Sequence, residues 1–432
     1  MARGAPKAVI LEIDGAIGPA VAEYVAREFR DANPSDTRIV ILRMNTPGGL
    51  DTSMREIIAA ILAAPVPVAT YVAPSGARAA SAGTYIAYAS AVAAMAPGTN
   101  IGAATPIQLG GPGEPPRKGR EPDTSGDGGR NAGGADNEPP DAEGRKVLND
   151  AIAYIRGLAE LNGRNADWAA DAVRNAVSIP ASEALKLHVI DVVADDVPDL
   201  LRQIDGRSVT VAGKTVRLAT QGLEIVVHPP DWRTQLLAVI TNPNIALLLM
   251  LAGVWGLVFE LTSPGAVVPG VLGAISLLVA LFALNLLPVN FAGVALLALG
   301  IGLMIAEAHL GAFGLLGVAG IAAFVIGGVM MFPSRAPGFA LSLPVLAGAT
   351  VVTGGLFLVV LALLLRSRRR PIVTGDEGLL GAEGEAVAWQ GEEGRVRIKG
   401  EIWRARAARP LEPGNRVRVI ERQGLVLTVE PM

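Results

Sequence analysis

Residues 76–85, GARAASAGTY, place Ser81 among small residues. The stretch follows a run of β-forming residues at 66–73, VPVATYVA, and a Pro-Ser-Gly turn. A nucleophilic serine needs backbone that a substrate can approach closely and a neighbouring N–H that faces an oxyanion. A tight turn of small residues between a strand and a helix supplies both. The same residues also fit an alanine-rich helix packed on a sheet, so the flanking sequence has to distinguish the two interpretations.

Strand and helix patterns alternate upstream of Ser81. The predicted elements are a strand at 7–14, a helix over 15–32, a strand at 38–44, a helix opened by Ser53 and Glu56 as a capping box, and a strand at 66–72. This alternation predicts a parallel α/β layer, in which ligands bind at the carboxyl ends of the strands. The loop at 45–49, NTPGG, and the Ser81 turn both follow such ends. We therefore expect the loop and the turn to form one site.

The composition changes abruptly after this part of the chain. Residues 95–109 predict a short strand and a loop, whereas 110–144 consist mainly of glycine, proline and polar or charged residues and predict a flexible surface loop. Helical patterns resume at 146–161 and 166–176. Short strands and helices then continue to the end of a predicted first domain, 1–228.

The second predicted domain, 229–370, has the composition of a membrane region. The whole chain is 51% hydrophobic and only 18% charged, with a mean hydropathy of +0.42, which is more apolar than ordinary soluble proteins. Apolar segments of about the 20 residues that a spanning helix needs lie near 244–261, 267–287, 290–309, 312–332 and 342–365. Arginines at 366 and 368–370 follow the last segment. By the positive-inside rule they place the C-terminus in the cytoplasm, and five spans then place the first domain on the opposite face.

The third predicted domain, 371–432, reads as about five short strands separated by glycine turns. This pattern is typical of a small closed barrel of the OB type. The net charge of −3 gives no basis for a nucleic-acid partner. The chain has no cysteine and only three histidines, so we expect neither a metal site nor a cofactor.

Three motifs resemble the long form of the NfeD proteins: NTPGG at 45–49, SGARAASAGTY at 75–85 and GTNIG at 98–102. The resemblance covers essentially the whole chain, including the Asn-Pro-Asn sequence at 242–244. That family joins a ClpP-class serine protease domain to a multi-span membrane region and a C-terminal OB-fold domain. The resemblance therefore implies a ClpP/crotonase-like α/β domain, several transmembrane helices and a location in the cell (inner) membrane. Family members usually carry a signal peptide, a pattern that the first residues here, MARGAPKAVILEIDG, do not show.

The resemblance also implies the site residues. The family's serine nucleophile falls on Ser81, and its general base falls on Lys146. The oxyanion hole would consist of the backbone N–H groups of Gly48, Gly49 and Ala82. A lysine base agrees with the scarcity of histidine, because a desolvated lysine loses its proton readily. A helical wheel, however, places Lys146 opposite the apolar stripe of its own helix.

The resemblance implies a membrane-anchored serine endopeptidase that cleaves hydrophobic segments of membrane proteins. Its expected partners are a stomatin or SPFH-type membrane protein cut in its C-terminal region, peptide substrates, membrane lipid and further copies of the chain. Two alternatives stay open. One is a scaffold without protease activity that organises stomatin-like proteins. The other is a crotonase-type acyl-CoA enzyme, which would need a carboxylate at the site, and the sequence offers no convincing carboxylate pair there.

Overall fold

The computed structural model describes residues 5–106, 142–262, 265, 267–310, 314–332, 338–368 and 376–432. The chain forms two compact units, Met1–Gly354 and Gly355–Met432. The α/β part of the first unit contains β1 Lys7–Asp14, α1 Pro19–Asp31, β2 Thr37–Asn45, α2 Asp51–Ala63, β3 Val68–Val72, β4 Arg78–Ala80, α3 Ala82–Ala89, β5 Val92–Met95, β6 Asn100–Gly102, α4 Ala142–Leu161, α5 Ala166–Arg174, β7 Ser178–Pro180, α6 Ala181–Lys186, β8 Val192–Val193, α7 Val197–Ile204, β9 Ser208–Val211, β10 Lys214–Arg217 and β11 Glu224–His228.

A six-stranded parallel sheet organises this part of the chain. Its strand order is β11-β1-β2-β3-β5-β8, and every neighbouring pair is parallel. One face carries α1 to α6 over a core that includes Tyr24, Phe29 and Ile57, and the other carries α7 with Leu200 and Ile204. The predicted parallel α/β layer is confirmed, and β1 has the predicted bounds.

The predicted capping box at the start of α2 is wrong. The helix begins at Asp51 with Leu50 as its N-cap, and Ser53 is a buried residue inside it. The chain is already fixed before Ser53, because Gly49 pairs with Ile17 in an isolated bridge and Leu50 N–H donates to Ile17 O at 2.9 Å. The cap is therefore set by a contact with the loop after β1, a distant part of the sequence.

The helix that carries Lys146 also starts earlier than the pattern predicts. It begins at Ala142, so Lys146 is its fifth residue and lies in the second turn. The predicted loop at 110–144 lies outside the described residues except for its last three, which are helical.

A helical region follows the sheet. It contains α8 Trp232–Ile240, α9 Pro243–Thr262, α10 Val268–Leu286, α11 Phe291–Leu310, α12 Leu315–Met331 and α13 Leu343–Arg368. In the described part of the chain, Pro243–Leu261 and Val268–Leu286 are long and apolar enough to cross a membrane. Shorter apolar helical segments are Phe291–Glu307, Leu315–Met331 and Leu343–Val359. The predicted helical region is confirmed, whereas the number of spans stays a prediction.

Glycines let these helices pack in pairs. A Cβ on Gly273 of α10 would lie 2.9 Å from Gly253 O of α9, and one on Gly300 of α11 would lie 2.6 Å from Gly320 O of α12. Such close backbone approach requires small residues, as in other membrane helix pairs. The helix pairs α9/α10 and α11/α12 are thus formed by backbone contact.

A buried carboxylate caps α12. Glu307 near the end of α11 is 2% exposed, and its two carboxylate oxygens accept from Gly314 N–H at 2.8 Å and Leu316 N–H at 3.0 Å. The first N–H groups of a helix have no partner within that helix, and negative charge is favourable at this end. Glu307 therefore satisfies the start of α12 with a side chain from its partner helix.

The segment between α12 and α13 contacts the α/β part of the first unit. Phe339 is 6% exposed, and its ring lies where a side chain on Gly18 would be, with Cζ 2.6 Å from the position of that Cβ. Gly18 is the N-cap of α1 and follows Ile17, the residue that pairs with Gly49. The helical region thus contacts Gly18, the residue next to Ile17, and Ile17 pairs with the NTPGG loop.

The second unit ends in a closed barrel. After α14 Asp376–Leu379, the strands are β12 Glu383–Gln390, β13 Glu393–Ile398, β14 Glu401–Arg406, β15 Arg416–Gln423 and β16 Val426–Pro431. They close in the order β12-β13-β14-β16-β15 around a core that includes Val396, Val417 and Leu427. The predicted five-stranded barrel is confirmed and is consistent with an OB fold.

Candidate active site

Ser81 stands at a strained turn between a strand and a helix. It follows β4, which pairs with β6, and it directly precedes α3. Its backbone has φ 54° and ψ −117°, a conformation that side-chain-bearing residues rarely adopt, and its N–H donates to Gly102 O at 3.0 Å. Strain of this kind persists where the surrounding structure enforces it, and it is common at functional sites. The predicted turn is present.

Gly48 lies directly against the Ser81 side chain. A Cβ on Gly48 would be 2.7 Å from Ser81 Cβ and 3.1 Å from Ser81 Oγ. Gly48 also has φ +115°, which favours glycine. The structure therefore brings the NTPGG loop and the Ser81 turn together, and it explains why residue 48 has no side chain.

The three predicted oxyanion donors differ in their hydrogen bonding. Gly48 N–H donates to Thr46 Oγ1 at 3.0 Å. Within the described ranges, the N–H groups of Gly49 and Ala82 have no acceptor. Two of the three predicted groups are thus available to a developing oxyanion, and the third is engaged by a neighbouring side chain.

Thr46 is a residue of this site that sequence reasoning missed. It is completely buried, and its backbone pairs with β4 through Thr46 N–H to Arg78 O at 2.8 Å and Ala80 N–H to Thr46 O at 3.1 Å. Its methyl group Cγ2 lies 2.6 Å from the position of a Cβ on Gly83. The only sequence signal was its place in the NTPGG loop, which does not reveal that it touches both β4 and α3.

Lys146 lies on an exposed part of α4. The helix buries Ala151, Ile155, Leu158 and Ala159 against the core. This agrees with the helical wheel, which places Lys146 on the other side. The described contacts of Ser81 do not include Lys146. The structure thus gathers the loop and the turn, whereas it leaves the Lys146 assignment as a prediction.

Arg55 connects the helix of Lys146 to the helix that follows the NTPGG loop. It donates to Asp51 of its own helix at 2.9 Å and to Asp150 of α4 at 2.7 Å, and its guanidinium lies 4.5 Å from the centre of the Tyr154 ring. Tyr154 in turn stacks on Tyr85 of α3. Burial raises the pKa of the Tyr85 hydroxyl, which stays protonated and donates to Ala104 O at 3.2 Å. Within about two turns beyond Lys146, α4 is therefore fixed to α2 and α3, the helices that follow the NTPGG loop and the Ser81 turn.

Arg164 fixes the other end of α3. Its guanidinium donates to the last carbonyls of the helix, Ala87 O at 3.0 Å and Tyr88 O at 2.9 Å, and it pairs with Asp191 at 2.7 Å. The Arg164 side chain is 2% exposed and that of Asp191 is 10% exposed. A cation at the carboxyl end of a helix stabilises it. The short helix behind Ser81 is thus held by a buried ion pair.

Family comparisons agree with this architecture. Residues 7–114 match the NfeD1b N-terminal domain, 244–363 match the NfeD integral membrane domain, and 376–431 match the NfeD-like C-terminal, partner-binding domain. Membrane-bound protease PH1510 of Pyrococcus horikoshii is 33% identical over 430 residues, which cover 97% of this chain and 92% of that protein. The chain belongs to the NfeD family. Membrane protein NfeD1b of Bacillus subtilis is 26% identical over 319 residues, which cover 73% of this chain and 65% of that protein.

Solved structures of NfeD relatives resemble the first part of the chain. The 1510-N membrane protease specific for a stomatin homolog from Pyrococcus horikoshii is 30% identical and covers 55% of this chain and all of that one, with a TM-score of 0.43. A lysine-to-alanine mutant of 1510-N, described as a membrane-bound stomatin-specific protease in complex with a substrate peptide, is 32% identical. It covers 54% of this chain and 97% of that one, with a TM-score of 0.45.

Proposed function

We propose that this NfeD protein is a membrane-bound serine endopeptidase in which Ser81 is the nucleophile and Lys146 the general base. The observation that carries the proposal is the contact between Gly48 and the strained Ser81 turn, together with the N–H groups of Gly49 and Ala82, which have no acceptor among the described residues. The relative PH1510, named a membrane-bound protease, is similar over nearly its whole length. We propose that this protease uses the mechanism of the ClpP class.

Each group has one role in the proposed reaction. Lys146 takes the proton of Ser81 Oγ as the oxygen attacks the peptide carbonyl carbon, and the carbonyl oxygen becomes an oxyanion. The N–H groups of Gly49 and Ala82 donate to that oxyanion. The protonated lysine then gives its proton to the leaving amine, and water releases the acyl group from Ser81 by the reverse steps. Lys146 has to turn toward Ser81 in the substrate-bound state.

The proposed substrates are hydrophobic segments of membrane proteins, in particular the C-terminal region of a stomatin-type partner. Support comes from solved relatives whose descriptions name stomatin specificity. Apolar helices and the matched membrane domain place this chain in a membrane, where such segments are found. Further copies of the chain and membrane lipid remain proposed partners.

The test uses the full chain in detergent and a fluorophosphonate probe, which labels activated serines. Wild type should be labelled, Ser81→Ala should not be, and Lys146→Ala should lose labelling because its serine is no longer deprotonated. Lys186→Ala, a change at an exposed lysine of α6, should label like wild type. If Lys146→Ala labels normally, Lys146 is not the base. If folded wild type neither labels nor cleaves a stomatin C-terminal peptide, the protease proposal fails.

The second candidate is a scaffold that binds a stomatin-type protein without cutting it. The description of residues 376–431 as a partner-binding domain favours a binding role for the barrel. The two candidates separate in a functional complementation assay. A Ser81→Ala chain that restores function in cells lacking the wild type supports the scaffold, whereas a chain that does not restore it supports the protease.

The proposed topology places three domains, 1–228, 229–370 and 371–432, on and in the cell membrane. The first would lie outside the cytoplasm and the barrel within it. The chain contains no cysteine, so single cysteines report the side of the membrane. A cysteine at exposed Lys186 should react with an impermeant maleimide from outside, and one at Leu425, which is 75% exposed, only after the membrane is opened. The reverse pattern would overturn the topology.

A further inference from the structure

The orientation of one peptide group decides which way the candidate oxyanion donor points. Gly48 O accepts from Ile17 N–H at 2.9 Å and from Thr46 Oγ1 at 3.1 Å. The peptide that joins Gly48 to Gly49 is trans. In a trans peptide the C=O and the N–H point in opposite directions. Fixing Gly48 O therefore also fixes the direction of Gly49 N–H.

The sheet order shows where that N–H points. Strand β2, which leads into the NTPGG loop, lies between β1 and β3. Ile17 follows β1, whereas β4, the strand before Ser81, pairs with Thr46 and follows β3, which is the other neighbour of β2. Because Gly48 O points toward Ile17, Gly49 N–H points away from it and toward the side of Ser81. This agrees with the lack of an acceptor for Gly49 N–H among the described residues.

Thr46 is the side chain that holds this arrangement. Its hydroxyl donates to Gly48 O and accepts from Gly48 N–H at 3.0 Å, so it fixes the peptide groups on both sides of Gly48. Its backbone is paired with β4, the strand that directly precedes Ser81. Glycine has wide conformational freedom, so Gly48 alone would not keep one orientation.

We propose that Thr46 is a positioning residue that orients the Gly48–Gly49 peptide so that Gly49 N–H is an oxyanion donor aligned with Ser81. This inference rests on the proposed protease function and goes beyond it by naming the side chain that holds the Gly49 donor in its orientation. Without the hydroxyl, Gly48 O retains Ile17 N–H alone, and Gly48 N–H loses its acceptor. The Gly48–Gly49 peptide is then held only by the bridge to Ile17 and can tilt, so the donor is less firmly oriented before the reaction.

The expected effect falls on the chemical step. Removing one oxyanion donor lowers kcat by about 10²–10³-fold, and loosening a donor should lower it less, by about 10–100-fold. KM should change little, because the donor acts on charge that develops in the transition state. A purely structural role for Thr46 would instead reduce the folded fraction and leave kcat per folded molecule unchanged.

The test compares three variants of the full chain in detergent with a peptide substrate that wild type cleaves. Thr46→Val removes the hydroxyl at nearly constant shape, and Thr46→Ser keeps it. Thr70→Val is the matched control, because Thr70 is equally buried on β3 and its hydroxyl bonds Ser90 Oγ at 2.6 Å, outside the loop. We expect Thr46→Val alone to lose kcat, Thr46→Ser to recover most of it, and both valine variants to lower the melting temperature similarly.

The outcomes separate the two proposals. If wild type cleaves and Thr46→Val keeps the kcat of Thr70→Val, the positioning role is overturned while the protease function stands. If Thr46→Ser loses as much kcat as Thr46→Val, the methyl group and not the hydroxyl is responsible, which also overturns the inference. If wild type itself shows no cleavage and no probe labelling, the protease function fails first.

Discussion

Replacing Gly83 by alanine tests the packing beneath Ser81. A Cβ at this position would lie 2.6 Å from Thr46 Cγ2, 3.4 Å from Ala79 Cβ and 3.5 Å from Met44 Cε. Only the first contact is a severe overlap. Overpacking of this kind costs about 1–3 kcal/mol, whereas alanine in place of glycine inside a helix gains up to about 1 kcal/mol. From the middle of the first range, about 2 kcal/mol, less a gain of about 1 kcal/mol, we expect Gly83→Ala to lower the free energy of unfolding by about 1 kcal/mol.

The overlap should disappear when the threonine methyl is removed. Thr46→Ser deletes Cγ2 and keeps the hydroxyl, at a cost of about 0.5–1.5 kcal/mol for a buried methyl. In the double variant the alanine then has room, so the two changes should be non-additive, with a coupling of about 1–3 kcal/mol in favour of the pair. The double variant should be as stable as Thr46→Ser alone or more stable.

The assay is unfolding in detergent together with the rate of fluorophosphonate labelling. Gly83→Ala should label more slowly, because α3 begins at Ala82 and a displaced helix moves one of the two available N–H groups. The double variant should regain both stability and labelling. If Gly83→Ala unfolds and labels like wild type, or if the effects of the two single changes simply add, Thr46 and Gly83 are not packed against each other.

Three further predictions concern residues outside the NTPGG loop. Asp191→Asn leaves the buried Arg164 without its ion-pair partner and should destabilise the chain by about 3–5 kcal/mol. Asp199→Asn, in a pair whose Arg202 side chain is 65% exposed, should cost less than about 1 kcal/mol. Denaturant unfolding measures both. Hydrogen bonds from Thr220 N–H and other donors lower the pKa of Asp205. Its contribution is therefore present at neutral pH and lost as the pH falls through the folded-state value, so Asp205→Asn should differ from wild type in melting temperature at pH 7 and converge with it in acid. Glu307→Leu removes the cap of α12 and should lower stability in detergent by about 1–3 kcal/mol, and Glu307→Gln should lower it less.

Elements that depend on local pattern were predicted well from the sequence. Strand β1 has the predicted bounds because a buried aliphatic run ends abruptly in Asp14 and Gly15. The Ser81 turn was predictable because small residues follow a β-forming run. The start of α2 was not, since Leu50 is fixed by Ile17, a residue that lies far from it in the sequence.

The residues that hold the Ser81 turn in place are harder to predict from the sequence than Ser81 itself. Thr46 matters because it touches Ala79 and Gly83 in space, and neither contact leaves a periodic signal in the chain. The sequence pattern predicts a start of α4 four residues too late, because the residues that precede the helix are rich in glycine and proline. The wheel of α4 correctly indicated an exposed Lys146.

The contact between Phe339 and Gly18 ties the evolution of two regions together. A side chain at position 18 would occupy the space of the Phe339 ring. In homologous chains, a larger residue at 18 should therefore accompany a smaller one at 339. This predicts covariation between two positions that are in contact but lie far apart in the sequence of the first unit. A chimera that joins the α/β part of one homologue to the helical region of another would have to match this pair. We therefore expect the two regions to be exchangeable between homologues only as a matched pair.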